Sequence, residues 1–246
     1  MSPIPENTNP FPLLGVLGGM GPLATVDFLA KLIEEAGAER DEDHVPVVVY
    51  SVPQIPSRPA AIIAGGASPL PAMAAGAQSL RRAGATTLAI ACNTAHYWYD
   101  ALESAAGLPI LHIADATLDA MEGNGHLPGT VGLIGTKGTI EAGFFQERFA
   151  GQGIACVLNS AEEQDSLVLP AIAAVKRHAL DVAHALAVQA CERLVARGAQ
   201  TIVLGCTEIP PALEFKSHAY STRCIDPTRA LAQACVAWWR AARKAS

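Results

Sequence analysis

Of the six cysteines in this chain, two are placed where a thiol can do chemistry. Cys92 ends the apolar run TTLAIAC (86–92) and opens Cys92-Asn93-Thr94-Ala95-His96, while Cys206 ends TIVLGC (201–206) and opens Cys206-Thr207-Glu208. A thiol at the carboxyl end of a strand, beside the start of a helix, has its thiolate favoured by the positive end of the helix dipole. Such a sulfur acts as a base or as a nucleophile. His96 follows Cys92 by one helical turn and Glu208 lies two residues after Cys206, so each thiol has a polar group near enough to orient it or shift its pKa. The plainer readings are a histidine that packs or caps locally and a surface carboxylate. Cys156, Cys191, Cys224 and Cys235 read as small buried apolar residues. No Cys-x-x-Cys pair stands ready for a metal or redox site, and the low cysteine density predicts free thiols.

The elements that must position these residues follow a pattern that occurs twice. LLGVLG (13–18), the glycine-rich turn GMGP and the helically spaced TVDFLAKLIEEAG read as strand, turn and helix. VPVVVYSV (45–52) reads as a buried strand, Pro71 to Ala83 as a helix and TTLAIAC as the next strand. The second half runs TVGLIG (130–135), the turn TKGT, a helix from about Ile140 to Ala150, the strand IACVLN (154–159), helices from about Leu167 to Arg197 and the strand TIVLGC. Strands alternating with helices predict parallel sheets covered on both faces. AGATTLAIACNT (83–94) lies over RGAQTIVLGCTE (197–208) without a gap, so that Cys92 meets Cys206. This internal repeat predicts two pseudo-symmetric parallel-sheet α/β domains with the active site in the cleft between them. The expected boundaries are 1–113 plus 214–246 for a discontinuous first domain and 114–213 for the second, with the tail from Pro227 to Ala245 a helix that packs back on the first.

Composition narrows the partners. With 50% apolar and 16% charged residues the chain is too hydrophobic to be disordered, and a net charge of −6 without a Lys/Arg cluster argues against a nucleic-acid surface. The charge-free stretches Asn7–Val26 and Pro59–Leu80 are broken by Gly and Pro, so neither is expected to span a membrane. No basic n-region precedes an apolar run, and a cytoplasmic location is expected. Gly19-Met20-Gly21-Pro22-Leu23-Ala24 loosely matches the dinucleotide fingerprint, but no acidic residue ends the second strand. The turn instead offers backbone donors to a smaller anion such as a carboxylate.

Five segments taken in order resemble the aspartate/glutamate racemase family: Leu17 to Thr25, Pro53-Gln54-Ile55-Pro56-Ser57-Arg58, Cys92 to His96, Thr136-Lys137-Gly138-Thr139 and Gly205-Cys206-Thr207-Glu208. Within it the chain is similar to the aspartate branch, because glutamate racemases usually carry Ser in place of His96 and His in place of Glu208. The resemblance implies that Arg58 holds a substrate side-chain carboxylate, with Lys176 doing similar duty; the plainer reading of Lys176 is a solvated helix lysine. The segment Leu111 to Thr117 instead resembles broad-specificity amino-acid racemases, which generally lack that Arg and Lys.

The resemblance further implies a homodimer that acts on a small acidic amino acid with no cofactor, neither pyridoxal phosphate nor metal. Cys92 and Cys206 would exchange the roles of thiolate base and thiol acid on opposite faces of Cα. Stabilising the charge that develops on the α-carboxylate would fall to donors at Asn93, Thr94, Thr139 and Thr207, with Gly19 and Met20 nearby and Gln54 and Thr136 also at the substrate. Rival readings are a broad-specificity racemase of the same superfamily, a single-cysteine covalent isomerase or decarboxylase, and a non-catalytic binding module.

Overall fold

The computed structural model describes residues 11–123, 125 and 127–245. Residues 1–10 and 246 of the expected first domain, including the start of the charge-free stretch at Asn7, lie outside the described residues, as do 124 and 126 of the second.

The first half runs β1 (Leu14–Gly18), α1 (Pro22–Ala36), β2 (Val47–Ser51), α2 (Arg58–Ala64), α3 (Leu70–Arg82), β3 (Thr87–Ile90), α4 (Tyr99–Ala106), β4 (Ile110–Leu111) and α5 (Ile113–Gly123). The second runs β5 (Thr130–Gly135), α6 (Lys137–Ala142), α7 (Phe144–Gly151), β6 (Ala155–Leu158), α8 (Ala161–Glu163), α9 (Leu169–Lys176), α10 (Leu180–Ala196), β7 (Thr201–Gly205), α11 (Ile209–Glu214), β8 (Cys224–Ile225) and α12 (Pro227–Ala245). Each half holds a four-stranded sheet, ordered β2-β1-β3-β4 and β6-β5-β7-β8, with every pairing parallel. The sheets therefore have one topology, and β3 and β7, which lead into Cys92 and Cys206, hold the same place in each.

Parallel pairing needs crossover helices, and these cover both faces. Leu17, Met73, Leu80 and Leu88 pack the first sheet against α3, while Leu194, Ile202 and Leu204 pack the second against α10. A third cluster joins Phe28 and Leu32 of α1 to Trp239 of α12 and reaches Val131 and Phe145 of the second half. Burying each such large side chain stabilises the fold by roughly 1.5–3 kcal/mol. Polar contacts also bind the tail to α1: Arg229 pairs with Glu34 at 3.0 Å and Glu35 at 2.7 Å, and Arg240 donates to the Ala36 carbonyl at 2.8 Å.

Three local readings need correction. The strand at 45–52 is not buried: β2 ends its sheet, and Val49 and Tyr50 are 39% and 38% exposed. Its β-branched run reflects strand propensity more than burial. The helix expected at 140–150 is two helices, broken at Gly143, whose φ of +72° glycine adopts freely. The first begins earlier, because Thr136 Oγ1 accepts the Thr139 N–H as an N-cap. The helical stretch expected from Leu167 also starts earlier, at a capping box in which Ser160 and Glu163 satisfy each other's backbone N–H.

Candidate active site

A cavity of about 180 Å³ opens at the carboxyl ends of the strands. The first half lines it with Met20, Arg58, Cys92, Asn93 and Thr94. The second adds Thr136, Lys176, Cys206, Thr207 and Glu208. Both thiols are buried, and each leaves its sheet one or two residues after a central strand.

Past β3 the chain turns tightly, with the Cys92 N–H on the Ile90 carbonyl at 2.8 Å, and enters a 3-10 helix over Thr94–Trp98. His96 holds this turn. Its Nε2 accepts the Ile113 N–H at 3.2 Å, so the neutral ring carries its proton on Nδ1 and donates it to the Cys92 carbonyl at 3.0 Å. Burial lowers its pKa to about 4, which keeps the ring neutral. His96 therefore bonds the main chain of Cys92 and positions it.

The two sulfurs sit in different fields. Burial raises the pKa of Cys92, opposed chiefly by the positive charge of Arg58. Burial raises Cys206 well above the ordinary thiol value, and the Glu208 carboxylate adds to the effect. Cys206 Sγ donates to Glu208 Oε2 at 3.1 Å, Thr207 Oγ1 donates to the same oxygen at 3.0 Å, and Lys176 Nζ lies 3.4 Å from Oε1.

Arg58 is anchored from behind. It donates through Nη1 to the carbonyls of Ile55 at 3.0 Å and Pro56 at 2.9 Å, and through Nη2 to that of Met20 at 3.0 Å. Its buried Nε has no partner among the described residues. Asn93 is 3% exposed, yet its Oδ1 and Nδ2 both lack partners among the described residues. Each such buried orphan costs about 1–3 kcal/mol, so Asn93 presents a donor and an acceptor ready for a bound polar molecule.

Three threonines join the halves: Thr139 Oγ1 lies 2.9 Å from that of Thr94 and 3.0 Å from that of Thr136, and Thr94 and Thr136 approach to 3.4 Å. Close contact continues beside them, since a Cβ on Gly138 would lie 2.9 Å from Pro59 Cα.

Two expected substrate contacts lie elsewhere and a third sits behind the wall. Gly19 gives its N–H to Thr25 Oγ1 at 2.8 Å, and a Cβ there would meet the Val52 nitrogen at 2.2 Å. Its φ of +89° shapes the turn, and its donor is already engaged. Gln54 is exposed and does not line the cavity. Thr139, wholly buried, braces Thr94 and Thr136 and does not reach the opening. Among the described residues, no group of three or more His, Cys, Asp or Glu side chains is placed to hold a metal ion, and no helix is long and apolar enough to cross a membrane.

Residues 17–235 match the model of the Asp/Glu/hydantoin racemase family. The chain belongs to that family. An aspartate racemase of Picrophilus torridus is 30% identical and superposes with a TM-score of 0.79, covering 93% of this chain and 94% of that one. The broad specificity amino-acid racemase RacX of Bacillus subtilis (strain 168) is 28% identical over 93% of this chain and 99% of its own. A glutamate racemase of Francisella tularensis, solved with D-glutamate, shares the fold at 16% identity and a TM-score of 0.67, over 95% of this chain and 82% of that one.

In this racemase the cavity also takes in Ser57 and Pro59, which sequence reasoning missed as site residues. A signal was present. Ser57-Arg58-Pro59 is a helix start, with Ser57 Oγ accepting the Ala60 N–H at 3.4 Å and Pro59 in the first turn, so it sets the end of α2 against the opening.

Proposed function

We propose that this amino-acid racemase inverts an acidic amino acid, aspartate before glutamate, by moving protons between Cys92, Cα and Cys206 without a cofactor. One observation carries the reading: the two thiols, contributed by different halves, line one cavity only large enough for a small molecule. A thiolate removes the Cα proton from one face and a thiol delivers a proton to the other. The pair needs one charged and one neutral sulfur. Burial favours the thiol form at both; Arg58 opposes it at Cys92 while Glu208 reinforces it at Cys206, so Cys92 is the sulfur that gives up its proton more readily.

The unpartnered Asn93 amide, the Thr94 and Thr136 hydroxyls and the Thr207 backbone are the groups to meet the α-carboxylate as negative charge builds on it. Lys176, 63% exposed at the rim, and Arg58 supply positive charge for a second carboxylate.

A second reading, broad specificity, is favoured by the state of Arg58. Three of its N–H groups already serve backbone carbonyls, which leaves less than a full fork for a substrate carboxylate. Proton NMR in deuterated water decides between the two readings. With L-aspartate, L-glutamate and L-alanine compared and no cofactor added, loss of the Cα–H signal for aspartate well ahead of alanine supports acidic specificity. Equal loss supports the broad reading, and no exchange with any of them removes the proposal.

A further inference from the structure

A second cavity, of about 380 Å³, lies beside the first and is built from the same two segments. The turn that presents Cys92, Asn93 and Thr94 to the catalytic cavity continues into His96, Tyr97 and Trp98, which line the second. Across from them, α6 is capped by Thr136, carries Thr139 in its first turn and leads through Ala142 to Phe144, Glu147 and Arg148, which line the second cavity too.

The walls are aromatic. His112, 5% exposed, sits edge-on to His96 at 4.9 Å, Tyr99 at 4.6 Å and Phe144 at 5.7 Å. Tyr97, 51% exposed, stacks edge-on to Trp98 at 4.8 Å. The polar groups carry both signs. Arg148, held through Nε to Asp115 at 2.5 Å, faces the cavity together with Glu147 and Asp100. His112 Nδ1 accepts the Ala114 N–H at 3.1 Å, which leaves the proton of the neutral ring on Nε2 as a donor.

We propose that this cavity is a binding site for a free aromatic α-amino acid, distinct from the racemisation site. The match is chemical. A zwitterion places its carboxylate on Arg148 and the His112 Nε2–H, its ammonium beside Glu147, and its ring among Tyr97, Trp98 and Phe144. Neither an alkyl acid nor a simple cation uses all three features. Burial lowers the pKa of His112 to about 2, with the neighbouring His96 and Arg148 adding to it, so the donor stays neutral across the physiological range. Because His96 both lines this cavity and holds the Cys92 carbonyl, occupancy acts on a segment that also bounds the catalytic cavity.

The test is equilibrium dialysis of the intact chain with radiolabelled L-phenylalanine, with and without aspartate, a readout that does not depend on racemase activity. Saturable binding that survives saturating aspartate is expected, weakened about tenfold in Arg148→Gln through loss of a charge-assisted contact. Glu147 is exposed, so Glu147→Gln tests the ammonium contact even if Arg148→Gln fails to fold, and it too weakens binding several-fold. Three results each overturn the proposal: no binding to the folded chain, displacement by aspartate without limit, or binding that the folded variants leave unchanged.

Discussion

Cys206 donates its thiol hydrogen to Glu208 at 3.1 Å, whereas at the equivalent strand end Cys92 lies in the field of the Arg58 guanidinium. The repeat that makes the two halves alike in topology thus ends in a pair of sulfurs both raised by burial but set in unequal fields. The proposed transfer between two sulfurs needs such inequality, because two thiols offer no base and two thiolates offer no acid.

Replacing either sulfur removes one half of the transfer. Cys92→Ser and Cys206→Ser are each expected to lower racemisation of aspartate by at least about 10²–10⁴-fold, the range that positioned acid–base groups contribute. One of them is expected to keep exchanging the Cα hydrogen of one enantiomer with deuterated solvent. Chiral chromatography and NMR on the same samples separate the two effects; native racemisation in both variants would refute the paired mechanism.

Glu208→Gln keeps the shape of the side chain and removes its charge. Burial still raises Cys206, but the contribution of the carboxylate is gone, so the thiol loses its proton at lower pH. In the direction that uses Cys206 as the acid, the alkaline limb of the kcat/KM profile should move to lower pH. Profiles measured from both enantiomers check this, and an unmoved limb would show that Glu208 does not tune the sulfur.

Arg58 both carries charge to the cavity and ties Met20 to the 55–56 turn. Arg58→Lys retains the charge but cannot reproduce three guanidinium hydrogen bonds. We expect a loss of about 1–3 kcal/mol in stability by urea unfolding. The fall in kcat/KM is expected to be larger for aspartate than for alanine, and equal falls would confine Arg58 to holding the loops.

His96 makes the fold sensitive to acid. Its pKa is lowered from 6.5 to about 4 in the folded chain, chiefly by burial, so between those values the unfolded chain binds the extra proton. The stability is therefore full above pH 6.5 and drains away as pH falls toward 4, by on the order of 3 kcal/mol. His112, lowered to about 2, adds a loss of the same sign that continues further into acid. Urea midpoints measured across this range should fall, and His96→Gln should flatten the upper part of the slope.

Local pattern carried much of this protein. Short apolar runs ending in Gly, each followed by a cap and a helical period, are nearest-neighbour effects, so they foretold the alternation of strands and helices and the repeat that sets Cys92 over Cys206. The same register placed Asn93, Thr94, Thr136 and Thr207 at strand ends, where ligands bind in open parallel sheets. What depended on distant chain meeting in space was not legible. β2 lies at an edge, His96 takes the Ile113 N–H on Nε2, and Arg58 reaches across to the Met20 carbonyl. The second cavity likewise exists only because α7 is folded against the 3-10 turn after Cys92. Hydrogen bonds and burial are settled by whichever groups arrive within about 3 Å, and spacing along a chain does not encode that distance.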